Sequence, residues 1–182
     1  MDAKRFLSQY TSGKRNFKGA NLHQAKLTKA DLRGVNLSEA DLSGADLSEA
    51  NLSKCNLSRA NLTNADLNGA NLQGANLSEV NLIGADLMRV NFQETNLSHA
   101  DLRGANLKFA NLMDANLSEA DTSGADFSSA NLQKANLIGS NIEESELNDA
   151  DLTNAITTPP ETSKEVLLIG LSHTWITWAG SC

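Results

Sequence analysis

From Phe17 to Leu152 a large apolar residue recurs at every fifth position, with no insertion or deletion in the register. The series has 28 centres, of which 23 are Leu; the others are Phe17, Phe92, Thr122, Phe127 and Ile142. Two residues before each centre after Phe17 stands a small residue, nearly always Ala. One residue before it stands Asn or Asp, except at Lys26 and Glu146. A helix cannot use this pattern, because a step of five residues turns about 140° beyond a full turn and scatters the centres around the axis. Extended chain places residues two apart on one side, so the Ala and Leu of one unit can both face inward. Five is odd, so a straight strand would turn the next unit outward. A bend after every unit removes the conflict. Gly gathers two residues after the centre, at Gly19, Gly34, Gly44, Gly69, Gly74, Gly84, Gly104, Gly124 and Gly139. The third residue of a type II turn needs a positive φ, which Gly supplies. The chain is expected to turn a corner every five residues.

A second period of 20 sorts the outward residues. Asn16, Asn36, Asn56, Asn76, Asn96, Asn116 and Asn136 form an unbroken column, and Ser38, Ser58, Ser78, Ser98 and Ser118 form another. Gly44, Asn64, Gly84, Gly104 and Gly124 mark one corner. Four units therefore close one coil. Stacked at roughly 4.8 Å per coil, seven coils would make a rod on the order of 33 Å long with a narrow dry interior.

These tandem units, of the form A(D/N)LSG, resemble the pentapeptide repeat family over residues 17–152. The lead-in Gly13–Phe17 is similar to that of cyanobacterial members. The resemblance implies an all-β fold: a right-handed quadrilateral parallel β-helix (a solenoid) of about seven four-sided coils, with a short N-terminal capping helix. Three segments are expected: a helical cap at 1–16, the repeat rod at 17–156, and a hydrophobic tail, cap or disordered segment at 157–182. Both ends of a solenoid need covering. At the start, residues 2–12 read as a helix with Phe6, Leu7 and Tyr10 on one side and Gly13 at its end. At the other end Pro159 and Pro160 break the register, Thr162 with Glu165 resembles a capping box, and an apolar run with both tryptophans follows. Leu167, Leu168, Trp175 and Trp178 are the candidate cap or dimer contact.

Composition restricts the function. The net charge of −7 disfavours direct binding to nucleic acid. No apolar run spans a bilayer and no secretory h-region opens the chain, so a soluble cytoplasmic protein is expected. His23, His99 and His173 lie far apart, and a filled rod offers no pocket. No catalytic residue, metal site or cofactor is expected. Cys55 occupies an Ala slot and reads as a small buried filler; Cys182 is terminal. Thr122 replaces a core Leu and is expected to bond a backbone carbonyl, since a lone buried hydroxyl costs about 1–3 kcal/mol.

The outward columns carry the remaining signal. Asp46, Asp66, Asp86, Asp126 and Glu146 share one side, interrupted by Asn106. Like charges at this spacing repel, so the column is a candidate acidic strip for a basic partner. A second column, Glu39, Arg59, Glu79, His99 and Glu119, nearly alternates in sign and reads as ladder stabilisation. Residues 1–33 carry a net +6, with Lys14, Arg15, Lys18, Lys26, Lys29 and Arg33 forming a candidate basic end; residues 135–152 carry a net −5. That polarity favours oriented docking or head-to-tail association.

The expected function is a non-catalytic, regulatory protein–protein interaction scaffold, with another protein as partner and no membrane. The oligomeric state is expected to be a monomer or a dimer through the C-terminal end. The family resemblance also implies links to heterocyst regulation, and a runner-up role as a DNA mimic binding DNA gyrase. Charge argues against the latter: the repeats hold 19 acids against 10 bases, whereas duplex DNA of that length carries on the order of 20 negative charges.

Overall fold

The computed structural model describes residues 1–157. The expectations for Pro159, Pro160, Thr162, Glu165, Leu167, Leu168, Trp175, Trp178 and Cys182 lie outside the described residues. The chain winds into a four-sided rod. Side one is centred on Phe17, Leu37, Leu57 and onward; side two on Leu22, Leu42; side three on Leu27, Leu47; side four on Leu32, Leu52. Residues 20 apart pair in parallel on every side, as Asn56 with Asn76 and Asp66 with Asp86. Each pairing is an isolated bridge, because a corner follows before a longer strand can form.

Backbone accounting explains the five-residue unit. In the unit around Leu57, the Leu57 N–H donates to Asn76 O at 2.7 Å in the next coil, and the Arg59 N–H donates to Ser78 O at 2.9 Å. The Asn56 N–H donates the other way, to Val35 O at 2.9 Å. The Ala60 N–H closes the corner on Leu57 O at 3.0 Å. The fifth donor, Ser58 N–H, turns to its neighbour's side chain, Asn56 Oδ1, at 3.0 Å. Only a short side chain with an oxygen at that reach can accept it, which is why the slot before the centre is Asn or Asp. After the two exceptions, Lys26 and Glu146, the Thr28 and Asn148 N–H groups find no such acceptor among the described residues.

Every corner slot from residue 19 to 154 has a positive φ except Glu144, so the corner does not need Gly. Glu79 at φ 57 and Arg59 at φ 59 adopt the conformation that Gly84 takes at φ 64. Gly relieves the left-handed strain but the stack enforces it.

The interior is the expected Leu column with Ala beside it, buried except at Ala20, Ala30, Leu147, Leu152 and Ala155 near the two ends, which are half-buried, and Phe92 and Phe127 take Leu places without breaking the coil. Cys55 is buried in its Ala slot, and burial pushes its thiol up to about 12. Helix α1, Ala3–Thr11, lies across the first coil. Asp2 caps it, accepting the Arg5 N–H at 2.7 Å. Phe6 is fully buried against Phe17, ring centroids 4.6 Å apart and edge-on. The Tyr10 hydroxyl donates to Arg33 O at 2.9 Å, and the Met1 ammonium donates to Asn21 O at 2.7 Å.

One side departs from the register. Asp121 and Asn141 are the one in-register couple between residues 16 and 156 without a bridge, and Ile142–Glu144 forms a short 3-10 helix. The Gly124 N–H consequently reaches Glu144 O, one residue beyond the regular acceptor. Thr122 sits opposite and corrects one expectation. Its hydroxyl donates to the side-chain Oδ1 of Asn141 at 3.2 Å, not to a backbone carbonyl, and its N–H uses the same oxygen at 2.7 Å. Asn141 thus stands in for the backbone carbonyl that the slip removed. The Ser145 hydroxyl donates to Thr122 O at 2.8 Å, completing the repair. Regular pairing resumes at Glu146.

Candidate functional site

The four sides differ in what they present outward. Side one shows Asn and Ser, side four Asn and Gln, side two mixed charge, and side three the acidic column. In the amide columns many Asn residues also bond along the axis, Nδ2 to the Oδ1 one coil below: 3.0 Å from Asn136 to Asn116, 3.2 Å from Asn111 to Asn91. A carboxylate in that slot accepts but cannot donate, so it ends the chain of bonds.

Two of the four carboxylate pairs that stack in the slot before the centre are provided with a cation. On side two, Arg103 holds Asp101 at 2.7 Å and reaches Asp121 at 3.6 Å. On side three, Lys108 holds Asp126 at 2.7 Å, beneath Glu146. Burial pushes the Asp126 carboxyl up, but bonds from Lys108 and Ser128 outweigh it and leave the group below the usual carboxylate range. Asp46 accepts the Ser48 hydroxyl and the Thr28 hydroxyl, each at 2.6 Å, which hold it below that range too, with Lys26 adding a coulombic pull.

Asp66 and Asp86 differ. They stack on Asp46 in three successive coils, with no ion pair to either among the described residues. Asp66 accepts the Asn68 N–H at 2.9 Å; Asp86 accepts the Met88 N–H and the Asn106 amide, both at 3.1 Å. The sequence-predicted strip is therefore brought onto one face but is not uniform. Its first three members, Asp46, Asp66 and Asp86, stack without an ion pair among the described residues, while Asp126 is tied to Lys108.

The candidate basic end is largely engaged internally. Lys18 pairs with Glu39 at 3.0 Å, Lys29 with Glu49 at 3.5 Å, and Arg33 with Asp31 at 2.8 Å. The Arg33 guanidinium holds the Asp31 carboxyl below its ordinary value. The Arg15 guanidinium lies 4.0 Å from the Tyr10 ring and Lys14 lies 4.8 Å from Phe17, so both clamp the cap. In the alternating column, Arg59 forks onto both oxygens of Glu79 at 2.9 and 3.0 Å and holds that carboxyl below its usual range. Among the described residues no group of three or more His, Cys, Asp or Glu is placed to hold a metal ion.

The family model for pentapeptide repeats matches in eight copies, over residues 16–53, 55–93, 85–121 and 123–156. The chain belongs to the pentapeptide repeat family. Pentapeptide repeat proteins are four-sided β-helices, as the pairing at spacing 20 requires here. Among solved structures the chain is similar to HetL, a pentapeptide repeat protein involved in heterocyst differentiation regulation from the cyanobacterium Nostoc: 33% identity over 86% of this chain and 94% of that one, TM-score 0.31. It is 35% identical to alr5209, a pentapeptide repeat protein also from Nostoc, over 63% of this chain and 80% of that one, TM-score 0.26. QnrB1, a plasmid-mediated fluoroquinolone resistance protein, aligns at 22% identity over 81% of this chain and 87% of that one; its TM-score of 0.53 supports the fold alone. No curated protein matches the chain. No helix among the described residues is long and apolar enough to cross a membrane.

Within this pentapeptide rod, two features escaped the sequence reading. The first is the slipped side at Asn141–Ser145; the signal was Ser140 and Ser145 in successive Ala slots, flanking a centre opposite Thr122. The second is Phe109, an exposed aromatic at a corner. It stood in plain view, in a slot otherwise held by Gly or polar residues.

Proposed function

We propose that the protein is a non-catalytic, regulatory interaction scaffold, a right-handed quadrilateral rod of about seven coils that binds another protein through its outer faces. The acidic run Asp46–Asp66–Asp86 is the face that receives a basic partner. One observation carries the reading: these three carboxylates stack with no cation on Asp66 or Asp86, although the same fold supplies Arg103 and Lys108 to other stacked acids. A partner's Lys or Arg side chains would supply the missing cations, at the spacing of the coils. The regulatory part rests on the likeness to HetL, whose role is in heterocyst differentiation.

Mimicry of DNA for gyrase is the weaker reading, because Lys108 lies on the acidic side and Arg89 at the corner that borders it. Affinity capture with the wild type and with Asp66→Lys/Asp86→Lys tests the proposal. A basic protein retained by the wild type, released by about 0.5 M salt and lost from the variant is the expected result. Identical captured sets would sink the acidic face. Inhibition of gyrase supercoiling by the wild type but not the variant would transfer the assignment to mimicry.

A further inference from the structure

Phe109 occupies a corner on the edge between sides three and four, at φ 59. A bulky side chain at positive φ is an outlier. Every other positive-φ corner of the rod holds Gly or a polar residue. The residue gains little burial in exchange, being 55% exposed. Its neighbour one coil below is Arg89, whose guanidinium lies 5.8 Å from the ring centroid. The Arg89 Nη1 also lies 3.9 Å from the Met88 Sδ, and among the described residues Arg89 makes no ion pair. Lys108, by contrast, is taken by Asp126 at 2.7 Å. Met113 follows on the next side of the same coil as Phe109. In the columns of Met88 and Met113 the other residues are polar.

We propose that this corner is a docking point distinct from the acidic run, and that it takes a protein partner presenting an apolar side chain with an Asp or Glu beside it. Phe109 and Met88 lie against one guanidinium that has no ion pair among the described residues, with Met113 on the next side of the same coil as Phe109. The apolar group packs on the Phe109 ring while the carboxylate takes the fork of Arg89, which the ring already orients. Aromatic, Met and Arg side chains are the types that concentrate binding energy at interfaces. The rigid corner holds the ring out with little ordering left to do on binding. The proposal does not depend on the acidic run.

A displayed library of random peptides, selected on the intact chain, tests it. Phe109→Gly removes the ring and suits the left-handed backbone, so it folds with a thermal midpoint at or above wild type. The expected result is enrichment of peptides joining Trp, Phe or Leu to Asp or Glu. Their binding falls at least tenfold on Phe109→Gly and on Arg89→Gln, and is unchanged by Asp66→Asn/Asp86→Asn. Failure to enrich such peptides overturns the proposal, as does equal binding to folded Phe109→Gly. Selection of Lys- and Arg-rich peptides alone, lost with Asp66 and Asp86, also overturns it while upholding the acidic face.

Discussion

Replacing Asp66 and Asp86 by Asn should make the rod more stable. An Asn at 66 gains an Nδ2 donor aimed at Asp46 Oδ1, and an Asn at 86 gains one aimed at residue 66. The geometry already exists on side two. Asn61 donates to Asp41 at 3.4 Å and Asn141 to Asp121 at 3.1 Å, although each Asp also accepts a Ser hydroxyl and a Ser N–H. Each half-exposed bond is worth about 0.5 kcal/mol. Each like-charge contact removed, Asp46 with Asp66 and Asp66 with Asp86, returns roughly 0.2–1 kcal/mol. Together they give about 1.4–3 kcal/mol, or about 3–12 °C in midpoint for a chain of this size. The test is thermal unfolding followed by far-UV circular dichroism at low salt and in 1 M NaCl. At 1 M the screening length is about 3 Å. The gain should therefore shrink to the hydrogen-bond share. A variant no more stable than wild type at low salt, or a gain indifferent to salt, would refute the reasoning that these carboxylates are held against a cost. The same variant separates stability from function, since it should lose the basic partner while gaining stability.

Phe6→Ala should cost about 3–5 kcal/mol of local stability, read by hydrogen exchange as lost protection of the Leu22 and Leu27 amides with Leu77 unchanged; protection left intact at the first coil would show that α1 does not seal it. The Cys55 thiol, buried and pushed up to about 12, should resist a disulfide reagent at pH 8 in the folded chain and react after urea, as peptide mapping can show. Asp41, Asp46, Asp121, Asp126 and Asp151 are all held below the usual carboxylate value. A depressed folded value stabilises above the ordinary carboxylate value of about 4. The thermal midpoint should hold from pH 7 to 5 and fall as the pH drops below about 4; a midpoint that rises on acidification would contradict these bonds.

The fold was legible because one physical rule repeats. Leu inward, Ala beside it and Asn or Asp accepting a neighbour's N–H recur so often that period 5 and period 20 can be read by eye. The corner conformation was legible only in part. Gly pointed to positive φ, but Glu79, Arg59 and Phe109 adopt it too, because the hydrogen bonds to both adjacent coils leave no alternative. Thr122 was visible as an exception, while its remedy lay 19 residues away in Asn141, beyond any local pattern. The acidic column was legible as a set. Which of its members are neutralised was not, since Lys108 and Thr28 reach their carboxylates from 18 residues away. The basic end looked like one patch in sequence, but Lys18 and Lys29 are consumed by Glu39 and Glu49, whose proximity only the coil creates, and Arg33 by Asp31 two residues before it.

The inter-coil bonds also give the rod a direction. On each regular side two N–H groups donate toward the C-terminal end for every one that donates toward the N-terminal end. The first coil therefore presents mainly carbonyl oxygens, and the last described coil mainly N–H groups. The Met1 ammonium and the Tyr10 hydroxyl meet the first coil as donors, on Asn21 O and Arg33 O. A cap built this way suits one terminus only. Two uncapped rods would match end to start and continue the winding as a single filament. Helix α1 is then a stopper against polymerisation as well as a lid on the hydrophobic interior, and a rod open at both ends would be a seed for fibres.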